Sequence, residues 1–332
     1  MRQQKSLIFI YNLIVKKNIL AAIDVGTNTF RLLIAEVFHT GSHGNCSFNE
    51  IISERIITRL GDGVKKRGFL NESAINSSIK ALKKFSTIIS DNNVCMTSAI
   101  ATSALREAKN STLFLDRAKA ETGIKIKIIS GKREAEITAS GMLIDVPIPE
   151  SALMIDIGGG STELILMKDN KLLSSASLNL GVVYLANKYM REDPPLSSDL
   201  SGMEKEISRT IQPAINSFRE FITSATTLIG TAGTVTTLSA ISQSLKGFDH
   251  NMIHNSKLSV DKVNTIYSDI SVISSKKRAA YIHYERERLD IIVPGTLILL
   301  KLMESFKFNT LNVSNYGLRE GILIELFKEC KY

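Results

Sequence analysis

Residues 153–166 read LMIDIGGGSTELIL. Apolar, β-branched flanks suit a buried strand on each side. Between them stand Asp156, three consecutive glycines, two hydroxyls and Glu163. One reading is a β-hairpin with a loose glycine turn and solvated acids. The other is a phosphate pocket. Glycines let backbone N–H groups approach an anion, and hydroxyls add donors. One acid then holds a cation or a water, and the other acts on that water. A glycine hairpin needs no acid at both strand ends, which favours the pocket.

Working outward, ILAAIDVGTNTFRLLIAEV (19–37) has the layout of ALMIDIGGGSTELILMKD (152–169): an apolar strand, Ile-Asp, a turn of glycine and hydroxyl or amide residues, then a second apolar strand. Asp24 and Asp156 are 132 residues apart. That period is too long for a solenoid. It fits two similar domains facing each other across a cleft, each with one phosphate hairpin. A third cluster, LIGTAGTVTTLSAI (228–241), reads as strand, GTAGT turn and helix. A helix N-terminus behind a glycine turn attracts anions through its free N–H groups and dipole. Such turns are common, so the three clusters carry weight together.

Between these units strands and helices alternate. Ile75, Ile79, Leu82, Phe85 and Ile88 mark one helical face. Residues 94–101 and 124–130 read as strands, 131–143 as a helix, and 103–123 as one or two helices stopped by Gly123. Asp193-Pro194-Pro195 marks a loop. Residues 198–224 and 259–304 are mostly helical, 226–233 and 311–315 are strands, and 318–329 is a terminal helix. The pattern means α/β layers with mixed sheets.

The 332 residues suffice for two domains, with 44% hydrophobic and 22% charged residues as in soluble globular proteins. Cys46, Cys95 and Cys330 form no CxxC pair, which argues against a zinc site or disulfide framework and makes a reducing cytoplasm the default. The net charge of +8 is concentrated at Lys65-Lys66-Arg67, Lys125–Arg133 and Lys276-Lys277-Arg278. A basic surface attracts polyanions, but no aromatic-interleaved basic run suggests nucleic acid. The apolar run SLIFIYNLIV (6–15) is too short to span a bilayer. It is expected to be an appended strand or helix, or to reflect an upstream start codon. No Ser, Cys or His triad is evident, and His39, His43, His250, His254 and His283 read as surface or loop residues.

The blocks IDVGTNTFRLLIAEV, ATSALREAKN, IISGKREAEI, IDIGGGSTELIL, GTAGTVTTLSAI, RLDIIVPG and SNYGLREGIL occur in order from about residue 19 to the C-terminus. Together they resemble the exopolyphosphatase and guanosine pentaphosphate phosphohydrolase (Ppx/GppA) family. The resemblance implies an α/β, actin-like (ribonuclease H-like) duplicated fold. It implies Mg²⁺-dependent hydrolysis of terminal phosphoanhydrides in inorganic polyphosphate, or in pppGpp, and is compatible with a homodimer. It divides the chain into an extension (1–18), a first domain (19–130 plus 317–332) and a second (131–316), the terminal helix crossing back onto the first. Long family members continue into a helical domain, so a short two-domain form is expected.

By the same resemblance Glu134 matches the general base and Glu163 the second catalytic acid. Asp156, and Asp24 as its counterpart, match metal-holding acids together with Glu163. Gly158, Gly159, Gly160, Ser161 and Thr162 match one phosphate loop, and Gly26, Thr27, Asn28 and Thr29 the other. Gly230, Thr231, Gly233 and Thr234 form the third turn. Arg106 matches a phosphate-contacting arginine, with a structural ion pair as the alternative. Arg31 and Arg288 are candidates for outer phosphates or a nucleotide, Arg288 alternatively pairing with Asp290. Two positions depart from the family: Arg133 stands where a second acid is usual and is expected to lower the Glu134 pKa or to bind phosphate, and Asn315 replaces a frequent Asp. Those departures motivate a second reading, a ppGpp- or polyphosphate-binding sensor with little turnover. An actin-like phosphotransferase is a third.

Overall fold

The repeated hairpin seeds two sheets. The computed structural model describes residues 18–40, 45–146, 150–283 and 285–330. The apolar run 6–15, His43 and the side chains of Lys65 and Lys66 lie outside the described residues. The chain divides into two compact units. One runs to Glu134 and resumes at Leu318; the other spans Ala135–Gly317.

In the first unit, β1 (Ile19–Val25), β2 (Thr29–Thr40), β3 (Asn45–Ile57), β4 (Met96–Ala101) and β5 (Ile126–Ile128) form one sheet in the order β3-β2-β1-β4-β5. The first three strands are an antiparallel meander, and β4 and β5 continue parallel to β1. Both faces are covered, which is why β1 and β2 are nearly continuous apolar runs. Ala21, Ile23, Phe30 and Leu32 pack with Ile75, Ile79, Leu82 and Phe85 of the helix Glu72–Asp91 and with Phe114 of Ser111–Thr122. The alternate residues Leu20, Ala22, Leu33 and Ala35 are buried toward the other face. There the helix Leu318–Glu329 lies against β1, β2 and β4. Asn71 caps the helix Glu72–Asp91 through Ala74 N–H, and Gly123 at φ 74° ends Ser111–Thr122.

The second unit repeats the plan. Its sheet runs β10-β11-β9-β6-β7-β8, with β6 (Ser151–Ile157), β7 (Thr162–Lys168), β8 (Lys171–Leu178), β9 (Thr226–Thr231), β10 (Lys257–Ser259) and β11 (Thr310–Val313). Again three antiparallel strands, β6 to β8, are followed by parallel partners, β9 beside β6 and β11 beside β9. Leu153, Ile155, Leu164 and Leu166 pack with Ile207 and Ile211 of the helix Ser197–Phe218 and Val293 and Leu297 of Ile292–Phe306. On the opposite face Met154, Ile165, Met167 and Ile229 meet Ala135, Ala139 and Met142 of Gly131–Met142.

The α/β character and duplication expected from the sequence are present. The third strand of each meander, β3 and β8, has no counterpart in the sequence reading. Ile51, Ser53, Arg55 and Ile57 of β3 are exposed and β8 is small and polar along half its length, so neither shows an apolar period.

Candidate active site

In the second unit, Asp156 and Glu163 are direct cross-strand partners of the β6–β7 hairpin. They prolong the row of Met154 and Ile165, so both carboxylates leave the same face of the sheet. Thr231 of β9 pairs with Asp156 on one side, and Ser177 of β8 with Glu163 on the other. The result is a polar row, Thr231–Asp156–Glu163–Ser177, across four strand ends. Ser177 Oγ donates to Glu163 Oε1 at 2.8 Å and fixes that carboxylate. Like charges directly opposite destabilise a strand pair, so this hairpin gains from a cation. Among the described residues no three His, Cys, Asp or Glu side chains converge on one point. Two carboxylates are nevertheless the donor set of a hard cation that retains waters and takes further ligands from a phosphate.

The loop Gly158–Ser161 is closed by Gly158 N–H donating to Ser161 O at 2.9 Å. Its carbonyls are occupied: Val182 and Val183, opening the helix Val182–Tyr189, donate to Gly158 O at 3.1 Å and Gly159 O at 2.9 Å. Gly181 makes this possible, since a Cβ there would enter the Gly159–Gly160 backbone. Thr162 is not a free donor. Its hydroxyl is fully buried and donates to Leu180 O at 2.6 Å, so its proton holds the loop.

The third turn, from β9 into the helix Ala232–Ser242, is similarly braced. Thr231 Oγ1 donates to Tyr316 O at 2.8 Å. Thr234 is buried, and a Cβ on Gly295 would come 2.5 Å from its Oγ1. Gly233 leaves room for Arg288, whose guanidinium occupies the place a Cβ at Gly233 would take. Arg288 pairs with Glu285, Nε to Oε2 at 2.9 Å, and not with Asp290.

In the first unit, Asp24 is cross-strand partner to Arg31, with Oδ2 4.0 Å from Arg31 Nη1. Burial pushes the Asp24 carboxyl up from its usual range; Arg31 and Arg319 oppose the shift and Glu320 reinforces it. The turn at Gly26, Thr27 and Asn28 is tied down through its carbonyls. Thr27 O accepts from Gly61 N–H at 2.8 Å, and Asn28 O from Thr58 and Arg59 N–H, each at 3.0 Å. Thr29, the first residue of β2, pairs with Ile57 of β3. Thr27 Oγ1 is 2.8 Å from Ser103 Oγ, at the start of the helix Ser103–Glu107 that carries Arg106. Arg106 meets Glu134: its Nη1 lies 3.2 Å from Glu134 Oε2 and donates to Ile129 O at 2.8 Å.

Arg133 Nη2 binds Glu325 Oε1 at 2.7 Å. Glu134 has Arg106 as an ion-pair partner. Asn315 Nδ2 donates to His250 O at 3.0 Å and lies 3.2 Å from His250 Nδ1, while Asn315 N–H points to His254 Nδ1 at 3.3 Å. The two imidazoles stack at 5.9 Å, and burial and then His250 lower the His254 pKa. His254 is thus more embedded than the sequence suggests. Sequence reasoning also passed over Arg319, Glu320 and Glu285. Arg319 bonds Ser53 and Glu320, and Glu320 is buried near Asp24. The acid inside LREGIL was the available signal, because an unpaired Glu on a buried helix face is costly.

The sequence model of the Ppx/GppA phosphatase family matches residues 37–330. The chain is 33% identical over 320 residues to a bifunctional 3-dehydroquinate synthase/phosphatase of Fusobacterium nucleatum, covering 93% of this chain and 47% of that protein. It is 29% identical over 316 residues to Exopolyphosphatase 2 of Mycobacterium tuberculosis, covering 92% and 98%. The chain thus spans about half the first relative and nearly all of the second. A crystal structure of the Aquifex aeolicus Ppx/GppA family member superposes with a TM-score of 0.80 at 29% identity, covering 94% of this chain and 98% of that one.

Proposed function

Because this chain belongs to the Ppx/GppA phosphatase family, we propose that it releases the terminal phosphate of inorganic polyphosphate, of pppGpp, or of both, by attack of water on a phosphoanhydride. The observation that carries this reading is the like-charged pair Asp156–Glu163 in direct register beside a glycine loop. A purely structural hairpin has no use for that repulsion.

Asp156 and Glu163 would hold Mg²⁺, which when bound supplies neutralising charge to the pair and to phosphoryl oxygens. Asp24, the counterpart of Asp156 in the first unit, is a further metal-holding candidate. In the loop that Gly158 N–H closes, the backbone N–H groups of Gly159, Gly160 and Ser161 take equatorial phosphate oxygens, as do those of Gly26–Thr29 and of the turn through Gly230, Thr231, Gly233 and Thr234. Glu134 orients the attacking water and accepts its proton. Arg106, paired with Glu134, orients that carboxylate and presents its remaining N–H groups to phosphate. Arg31 and Arg288 take outer phosphates, Arg288 at the start of the helix Ala232–Ser242.

The test is phosphate release by the purified protein, offered long-chain polyphosphate and pppGpp in parallel, with Mg²⁺ or with chelator. Glu134→Gln is expected to cost about 10²–10⁴-fold, the usual contribution of a general base. Faster release from one substrate assigns the preference. Tight binding of either without release would replace this reading with a sensor.

A further inference from the structure

Glu285 is absent from the motifs above, yet it stands between two of their parts. It opens the short helical turn Arg286–Arg288, whose Arg288 N–H donates to Glu285 O at 2.9 Å. Its carboxylate is largely buried, with side-chain exposure of 17%. Thr237, fully buried on the helix Ala232–Ser242, donates its hydroxyl to Glu285 Oε2 at 2.6 Å. The same oxygen stands 2.9 Å from Arg288 Nε, although the buried Nε–H is not aligned on it. The contact is therefore charge to charge, not a directed hydrogen bond. Arg288 Nη1 and Nη2 lie against Gly233 and bond no acceptor among the described residues.

An arginine side chain gives up many rotamers when it is fixed, and its planar fork loses least when it is held beforehand. Here the fixing is done from behind. Thr237 anchors the carboxylate, the carboxylate holds Nε, and glycine leaves the space that the terminal nitrogens fill. The donor edge of the guanidinium stays open for an anion. We propose that Glu285 is a positioning residue for Arg288, holding its guanidinium at the glycine turn before a phosphate arrives. This rests on the reading of Arg288 as a phosphate-binding residue.

The proposal has a signature that lost folding does not share. Glu285 also offsets part of the Arg288 charge, so its removal loosens the arginine while leaving the site more positive. Ground-state attraction for a polyanion is then kept or raised, and only the oriented contact is lost.

The experiment is a double-mutant cycle of Glu285→Gln and Arg288→Ala in the full chain, read as kcat and KM for phosphate release and as calorimetric binding of inorganic tripolyphosphate. Glu285→Gln alone is expected to lower kcat about tenfold with KM unchanged or lower. Once Arg288 is Ala, the same substitution should change kcat less than about twofold, because the two act as one unit. Glu285→Asp should recover part of the loss, and Thr237→Val should reproduce a weaker form of it. Equal losses on both backgrounds, or a KM that rises as kcat falls, overturn the positioning role. If the wild type releases no phosphate, the hydrolase reading fails separately. The cycle read in tripolyphosphate binding then decides: coupled effects support the role, and additive effects or no binding overturn it.

Discussion

Asp24 at the end of β1 stands opposite Arg31, whereas Asp156 at the same place on β6 stands opposite Glu163. The first hairpin sets opposite charges in register; the second sets like charges in register. Each turn is tied down by its carbonyls, to residues 58–61 in the first unit and to the helix Val182–Tyr189 in the second. One backbone plan thus serves two electrostatic ends. A duplicated hairpin needs only one residue changed in register to pass from an oppositely charged pair to a like-charged one.

The strongest way to break the contrast is to write the first pair into the second hairpin. Glu163→Arg is expected to lower phosphate release by at least about 10³-fold, since it removes a proposed metal-holding acid and places a cation beside the glycine loop. The melting temperature should hold or rise, because a repulsive cross-strand pair becomes attractive. Retained activity, or unfolding, would end the argument from charge. The converse change, Arg31→Glu, sets two acids opposite each other in the first hairpin. It should cost about 1 kcal/mol of stability, regained in part on adding Mg²⁺, and raise KM for polyphosphate up to about tenfold through the lost cation. Unchanged melting with and without Mg²⁺ would show that the register pair does not set the energetics.

The smallest effect sharpens the comparison through pH. Burial raises the folded-state pKa of Asp24 despite Arg31 and Arg319, with Glu320 adding to the rise. Its contribution to stability is complete below the unfolded pKa of about 4 and is lost as pH climbs through the folded value. Asp24→Asn should therefore raise the melting temperature at pH 7 and flatten its decline above pH 4. A lower melting temperature at pH 7 would mean that the ion pair outweighs the burial.

Much of this was legible in the chain. The repeated Ile-Asp with its glycine turn marks both hairpins, and the 75–88 periodicity marks a helix that the structure contains. That Asp156 faces Glu163 was readable from the two ends of one short glycine turn, but that Asp24 faces Arg31 was not read, because register depends on turn length and on where each strand starts. Gly181 and Glu285 escaped for another reason. Their partners are distant in sequence: Gly159 lies 22 residues back and Thr237 lies 48 residues away. No local pattern announces such packing. Arg133 shows the opposite hazard. Beside Glu134 in sequence, it turns on its helix toward Glu325, because adjacent helical residues do not share a face.

The helix Leu318–Glu329 lies on β1, β2 and β4, yet it is made only after the whole second unit. During translation the ribosome must add residues 135–317 between the two parts of the first unit. At ordinary elongation rates that interval is roughly ten to forty seconds. Throughout it the Leu20, Ala22 and Leu33 face of the nascent sheet lacks its cover, while the second unit, contiguous in sequence, is free to mature first. Chaperone demand during synthesis should fall on the first unit.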